Sequence, residues 1–367
     1  MRRRLRLARM RLRYADGMVL HTATSGAVPV LDELRLTAEE GGALVAIGAT
    51  RINIEYLSGL APEALVEHCV AVARALDWRL PWHRLVAALD ARFPALPAPA
   101  RMLFEMAAAD GAARTANVPL AIHLGGEATA AIATNQTLFY ADMETILSRA
   151  HAYLARGFRD LKLRVGSGPI AEDVARLRRL RAHLGPDARL SADANGRWDV
   201  EEVLPVLPAL VAIGLAYIEQ PLAAGAWDAA ARLTAASPVP VMLDESLANE
   251  GSIARLIATR AASFAHLKLA KLGGLDRLVR AGRFLHAAGL RVMVGQMNEG
   301  SVSTLAAAHA AAAIGADLAE LYGADGLASD PAGLLRYEQG LLHLLPGPGL
   351  GIAASEEAGD ILWKEDA

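Results

Sequence analysis

Asp193, Glu219 and Asp244 each close an apolar run, in "LSAD", "AYIE" and "PVMLD", at intervals of about 25 residues. Carboxylates brought together repel, and each raises the pKa of its neighbours unless positive charge is supplied. A hard divalent cation supplies it. Ligation by oxygen alone favours Mg²⁺, with Mn²⁺ possible, over Zn²⁺, which prefers His and Cys. Cations flank the three acids. "DLKLRV" sets Lys162 and Arg164 two residues apart, hence on one face of a strand. "AHLKLAKLGG" carries Lys268 and then Lys271. A lysine partly desolvated beside a metal and other positive charge can act as a base. The metal can then hold a substrate carboxylate and stabilise the enolate left when the α-proton leaves.

Each of these residues also has a plainer explanation. An Asp after a strand is often a helix N-cap. Lys271 lies just past its strand, where a solvated lysine is ordinary. Asn195 suits a turn cap. Glu245 is either a partner of the neighbouring acids or a first-turn acid favoured by a helix dipole. The common register of the acids with one structural period is what the plainer explanations do not produce.

That period defines the elements that must position them. From about residue 128, strand candidates "AAIATNQTLF", "DLKLRV", "ARLSAD", "LAYIE", "VPVMLD", "SFAHLKL", "LRVMVG" and "DLAELYG" alternate with amphipathic helical stretches, several ending at Gly. Short apolar strands alternating with helices imply a parallel sheet, and about eight units imply a closed barrel whose strand ends share one mouth. The rival is an open doubly wound sheet, but no Gly-rich phosphate fingerprint follows an early strand. The fold class is therefore α/β. Residues before about 125 read differently: the alternating run "MRRRLRLARMRLRY", the strand "GGALVAIGAT", then helices "APEALVEHCVAVARAL" and "ARMLFEMAAADGAARTA". This is an α+β module. The tail "LLHLLPGPGLGI" is expected to leave the barrel and pack elsewhere, with the N-terminal module as the candidate surface.

The 367 residues are 53% apolar with a formal net charge of −3, which suits a large folded core and points away from nucleic-acid or membrane partners. Cys69 is the single cysteine, so no intrachain disulfide forms, as expected of a cytoplasmic protein. No apolar segment follows the basic N-terminus as a signal peptide requires.

"LKLRVG", "DANGRW", "IEQPL", "LDES", "LKLAKLGGL" and "GQMNEGSVSTLAAAHAA", in this order, resemble the enolase superfamily, specifically its muconate-lactonizing subgroup. The resemblance implies an α+β capping domain over residues 1–125, completed by a tail at about 340–367, and a modified (β/α)7β barrel over 126–339. It implies Mg²⁺ on Asp193, Glu219 and Asp244, Lys268 as the base, a small carboxylate substrate and a homo-oligomer. "GQMNEG" ends the seventh strand without His, so the mandelate-racemase His–Asp dyad is not visible. The family's second-strand motif is Lys-x-Lys, and here Arg164 stands in the second position. Arginine keeps its proton and is a poor base but a good carboxylate partner. One-base dehydration or cycloisomerisation is thereby favoured over two-base racemisation or epimerisation, with Lys162 left to hold substrate or assist. A barrel that binds a small acid without turnover is the third alternative.

The candidate specificity loops are "TATSG" near residue 24 and "TRINIEYLSG" near 55, with Arg51, Asn53 and Tyr56. Asn135, Gln136, Asn298, Glu299, Tyr322 and Asp325 are the pocket candidates on the barrel side. "LYGADGL" does not match the Asp-x-Asp pair of the family's dipeptide epimerases, and a hydroxylated acid or cyclic amino acid suits the polar lining better.

Overall fold

The computed structural model describes residues 3–15, 20–22, 26–356 and 358–367. Eight parallel strands lie side by side in chain order. They are Gln136–Leu138, Asp160–Arg164, Arg189–Asp193, Leu215–Glu219, Val241–Leu243, Phe264–Lys268, Arg291–Gly295 and Leu318–Glu320. Their register sets Arg164 beside Asp193, Asp193 beside Glu219, and Gly295 between Lys268 and Glu320. The charged strand ends therefore form one layer at the barrel mouth.

Helices Met143–Ala155, Ile170–Leu184, Val200–Ile213, Trp227–Ala236, Glu250–Thr259, Leu275–Ala287 and Ser301–Ile314 cover the outside of the sheet. Local chemistry stops and starts them. Asp142, Asp199 and Asn249 accept from backbone N–H groups in the first turns. Gly214 and Gly315 take the left-handed conformation that ends Val200–Ile213 and Ser301–Ile314. Among the described residues no helix follows the eighth strand, and 321–336 are irregular. Nor is any described helix long and apolar enough to cross a membrane.

One apolar run behaves differently from its reading as a single strand. "AAIATNQTLF" breaks at Thr134–Asn135. Ala131–Ala133 pairs with Leu341–His343 of the tail, while Gln136–Leu138 enters the barrel. The break is pinned, because Asn135 N–H donates to Ala319 O at 3.2 Å and Thr134 Oγ1 accepts from Leu321 N at 2.8 Å.

The N-terminal residues form an antiparallel sheet in the order Asp360–Asp366, Arg3–Leu12, Leu31–Glu40, Ala43–Arg51. Leu5 and Leu7 of the alternating run are buried. The last strand comes from the chain's C-terminal end and pairs with the first. The strand Leu31–Glu40 is hidden in sequence by its charges, because Glu33 and Arg35 are buried and bond to each other at 2.8 Å. Arg35 also donates to Asp330 at 2.9 Å.

Helix Ala98–Thr115 is buried on nearly every side, as a helix wedged between sheet and barrel must be. It approaches the sheet at Gly48, where a Cβ would stand 2.2 Å from Leu103 O. On its barrel side Glu105 accepts from Leu275 N at 2.7 Å and Asp276 N at 3.1 Å, capping a barrel helix. Arg101 donates to Asp90 at 2.7 and 2.8 Å, to Asp276 at 2.9 Å twice, and to Gly273 O at 2.7 Å. Removing one member of a buried ionic cluster typically costs 3–5 kcal/mol. Both aspartates keep some solvent contact. Arg101→Met is therefore expected to destabilise the protein by about 3 kcal/mol, at the lower end of that range, measured by denaturant unfolding.

Candidate active site

The strand ends surround a cavity of about 360 Å³ lined by Arg164, Asn195, Asp244, Glu245, Lys268, Lys271, Glu320 and Tyr322, with Tyr56, Leu57, Met297 and Asn298 on the capping side. Left-handed backbone at three non-glycine residues shapes its rim: Asn195, Gln220 and Asn298, at φ 45°, 33° and 55°. Gln220 shows what that geometry achieves. Its Oε1 accepts from Asp244 N at 3.0 Å and Ser246 N at 3.2 Å, and its amide donates to Leu222 O and Ser246 Oγ. The ends of the fourth and fifth strands are latched together directly after Glu219.

Below the mouth, Lys162 is fully buried and ion-paired with Glu219 at 2.8 Å, Asp193 at 3.5 Å and Glu320. Burial alone would push its pKa down, but these carboxylates hold it well above the ordinary lysine value. Lys162 lies beneath the cavity rather than on its lining, with three acids around it. Glu219 accepts at Oε1 from His266 Nδ1 at 2.9 Å. Burial raises the Glu219 pKa, and Lys162 and His266 more than reverse that, leaving it well below the carboxylate range.

Asp244 stands between two lysines, with Lys268 Nζ at 2.7 Å and Lys271 Nζ at 2.5 Å. Lys271 is a correction to the solvated-loop explanation. The single turn Leu269–Leu272 carries it back over the strand end, where it is buried and also donates to Asp244 O. Desolvation lowers Lys271. Lys268 is desolvated too, but the Asp244, Glu320 and Glu219 carboxylates together outweigh that and raise it above the ordinary value. The depression expected of Lys268 is not found, and the lowered lysine is Lys271.

Arg164 donates to Asn195 Oδ1 and lies 3.2 Å from Asp193 Oδ2. Asn195 in turn donates to Glu245 Oε1 at 2.9 Å. Burial, then Asp244 and Asp193, push the Glu245 pKa up to about 7. Around the mouth stand five acids, Asp193, Glu219, Asp244, Glu245 and Glu320, against four basic groups, Lys162, Arg164, Lys268 and Lys271, with Glu245 only partly ionised near neutrality. Asp193 Oδ2 and Glu245 Oε2 are buried without hydrogen-bond partners. Donor atoms of Glu219, Asp244 and His266 lie within 4.8 Å of one another. A buried cluster this rich in carboxylates, with Glu245 Oε2 left without a partner, would suit a divalent cation.

The other candidates divide. Tyr56, Asn195, Glu245, Asn298 and Tyr322 line the cavity. Asn135 lies behind it, donating to Glu320 Oε2 at 3.0 Å. Gln136 and Asp325 bond to each other at 2.8 Å and line a separate cleft of about 220 Å³ with Arg149 and Arg156. Arg51 and Asn53 do not point at the cavity. The buried Arg51 guanidinium donates to Asn53 Oδ1 at 2.7 Å and to Met297 O, fastening the segment that carries Tyr56 to the loop that carries Asn298. Residues 23–25 of "TATSG" lie outside the described residues. Three site residues escaped the sequence reading. Glu320 ends the eighth strand as the other acids end theirs, a signal that was available. His266 and Gln220 announce nothing in sequence.

The chain matches the family model described as enolase C-terminal domain-like over residues 145–358. It is 32% identical over 200 residues to an L-Ala-D/L-Glu epimerase of Bacillus subtilis (strain 168), covering 54% of each chain, so it spans about half the length of that relative. It is 31% identical over 270 residues to muconate cycloisomerase 1-2 of Acinetobacter lwoffii, covering 72% of this chain and 70% of that one. The crystal structure of an N-succinyl Arg/Lys racemase from Bacillus cereus ATCC 14579 superposes over 100% of both chains with a TM-score of 0.90 at 24% identity, a likeness of fold.

Glu299 is buried beside the cavity loop rather than on its lining. Its Oε2 accepts from Met297 N at 3.2 Å and its Oε1 has no partner. Burial raises its pKa from 4.5 to about 7. The folded protein therefore keeps this proton after the unfolded chain has lost it. The resulting stability is full below about pH 4.5 and is lost as pH rises through about 7. The change is roughly 3 kcal/mol at most, at about 1.36 kcal/mol per pH unit. Melting curves should show wild type losing stability relative to Glu299→Gln across this window.

Proposed function

Because the chain belongs to the mandelate racemase/muconate lactonizing enzyme branch of the enolase superfamily, we propose that it removes the proton α to the carboxylate of a small organic acid with a single base, Lys268. The observation that carries this reading is the set of cations on the cavity wall: Lys268, Lys271 and Arg164 line it, only the lysines can lose a proton at accessible cost, and Lys271 is tied to both the carboxylate and the backbone carbonyl of Asp244 whereas Lys268 bonds the carboxylate alone. Asp193, Glu219 and Asp244 would hold Mg²⁺, with Mn²⁺ as substitute. When bound, the ion supplies the positive charge that draws in the substrate carboxylate and offsets the charge that develops there.

The chain's own groups do the rest. Lys268 Nζ takes the proton. Lys271 shares Asp244 with it, and the like charge disfavours a proton on either lysine. Arg164, raised still further by Asp193 once burial is overcome, stays charged and binds or polarises the opposite side of the substrate. Tyr56, Leu57 and Met297 limit the water that reaches the cavity from the capping side. Dehydration and cycloisomerisation both need one base, and a syn elimination can reuse Lys268 as the acid. A second reading, racemisation or epimerisation, is favoured by relatives that act as an epimerase and a racemase. It requires a proton donor on the Arg164 face.

The test is α-proton exchange in deuterated water with Mg²⁺, over acid sugars, hydroxyprolines, muconates, N-succinyl amino acids and dipeptides. Lys268→Ala should abolish turnover and exchange together, whereas Arg164→Lys should keep exchange. Near wild-type exchange in Lys268→Ala would assign the base elsewhere, and deuterium in both enantiomers of a substrate would establish racemisation. Separately, Asp193→Asn, Glu219→Gln and Asp244→Asn should each weaken Mg²⁺ binding, measured by calorimetry, in step with activity. Wild-type affinity in any two of them would remove those carboxylates from the metal site.

A further inference from the structure

The Glu219 carboxylate is gripped from beneath at both oxygens, by Lys162 Nζ at Oε2 and by His266 Nδ1 at Oε1. Lys162 has an obvious role as counter-charge. His266 needs another explanation. It sits two residues before Lys268 on the sixth strand, so it points into the barrel as Lys268 does, and it is fully buried. A carboxylate only accepts, so Nδ1 carries the hydrogen toward Glu219. The other ring nitrogen, Nε2, has no partner.

The neighbouring strand makes room for the ring. A Cβ on Gly295 would lie 2.0 Å from His266 Nε2 and 2.9 Å from its Cε1. Gly295 is not among the glycines with positive φ, so its backbone does not demand glycine. What requires it is space. The seventh strand gives up a side chain at the level of the catalytic layer, and the imidazole fills the gap.

We propose that His266 is a positioning residue for the cation site: its Nδ1–H fixes one Glu219 oxygen from below, so that the remaining lone pairs face the mouth, and Gly295 is the vacancy that admits the ring. This rests on Glu219 being a metal ligand. Each carboxylate oxygen offers two acceptor sites, so a bond from beneath leaves one free on each. Without the His266 bond the Glu219 group could rotate about its terminal torsion, which is broad for a sp³–sp² bond. It would then meet a cation in several orientations. Groups that orient metal ligands in this way typically contribute 10–100-fold to metal affinity.

Calorimetric titration of the full chain with Mg²⁺ tests the proposal, with thermal melting as the check on folding. His266→Leu should bind Mg²⁺ about 10–100-fold more weakly. His266→Asn, which retains a side-chain N–H donor, should recover most of the loss. Gly295→Ala keeps the histidine but pushes its ring away, and should weaken binding in the same direction, giving the readout should His266→Leu not fold. In a Glu219→Gln background, His266→Leu should have little further effect. Wild-type affinity in His266→Leu, or no recovery in His266→Asn, would overturn the positioning role while leaving Glu219 as a ligand. Wild-type affinity in Glu219→Gln would instead remove the ligand assignment on which the proposal stands.

Discussion

A charged group buried in a protein must find a partner of opposite charge or a set of hydrogen bonds, because desolvation otherwise costs several kcal/mol. At this barrel mouth five carboxylates and four cations are packed above an apolar interior, and no single pair accounts for the arrangement. Lys162 has three acids, Asp244 has two lysines, and Asp193 keeps an oxygen with no hydrogen bond. A layer in which acids outnumber basic groups would suit a divalent cation. Other features answer to it. The Gln220 latch joins two carboxylate-bearing strand ends, His266 and Lys162 pin Glu219, and the turn after the sixth strand returns Lys271 to the layer.

The capping module meets the same constraint along its contacts with the barrel, which are also ionic or charge-assisted. Arg35 pairs with Glu33 and Asp330 through Nη2, with its Nε and Nη1 buried without hydrogen-bond partners, Arg101 is divided between Asp90 and Asp276, and Glu105 caps a barrel helix. Arg51 uses backbone carbonyls in place of acids. These networks join the capping module to the barrel. Because Arg51 joins the segment of Tyr56 to the loop of Asn298, that wall of the cavity is built from both modules at once.

The cavity is also asymmetric in its proton chemistry. Lys268 and Arg164 both line it, and the ordinary pKa values of lysine and arginine differ by two units or more. On the proposed reading, proton transfer would fall to Lys268 and charge stabilisation to Arg164. Asn195 reinforces the division by accepting from Arg164 and donating to Glu245, which keeps the guanidinium fixed rather than free to follow the substrate.

Much of this was legible in the chain itself. The barrel strands could be read because each is a short apolar run repeated with one period, and Asp193, Glu219, Asp244, Lys162, Arg164 and Lys268 could be read because strand ends in a parallel barrel share a mouth. Tyr56 and Asn298 were legible as loop residues, though not their common wall. Residues whose roles depend on contacts across long sequence separations were not legible. The charge-rich strand Leu31–Glu40 looks like a solvated segment until Asp330 arrives to bury it. Lys271 looks exposed until one helical turn folds it onto Asp244. His266 looks like any core histidine until Gly295, on the next strand, supplies its space. Periodicity and residue type determine which elements form and which groups reach the mouth, because those follow from local geometry. Which groups are neutralised, pinned or left unsatisfied was decided by the tertiary structure alone, since a buried charge is governed by whatever the fold brings within about 4 Å of it.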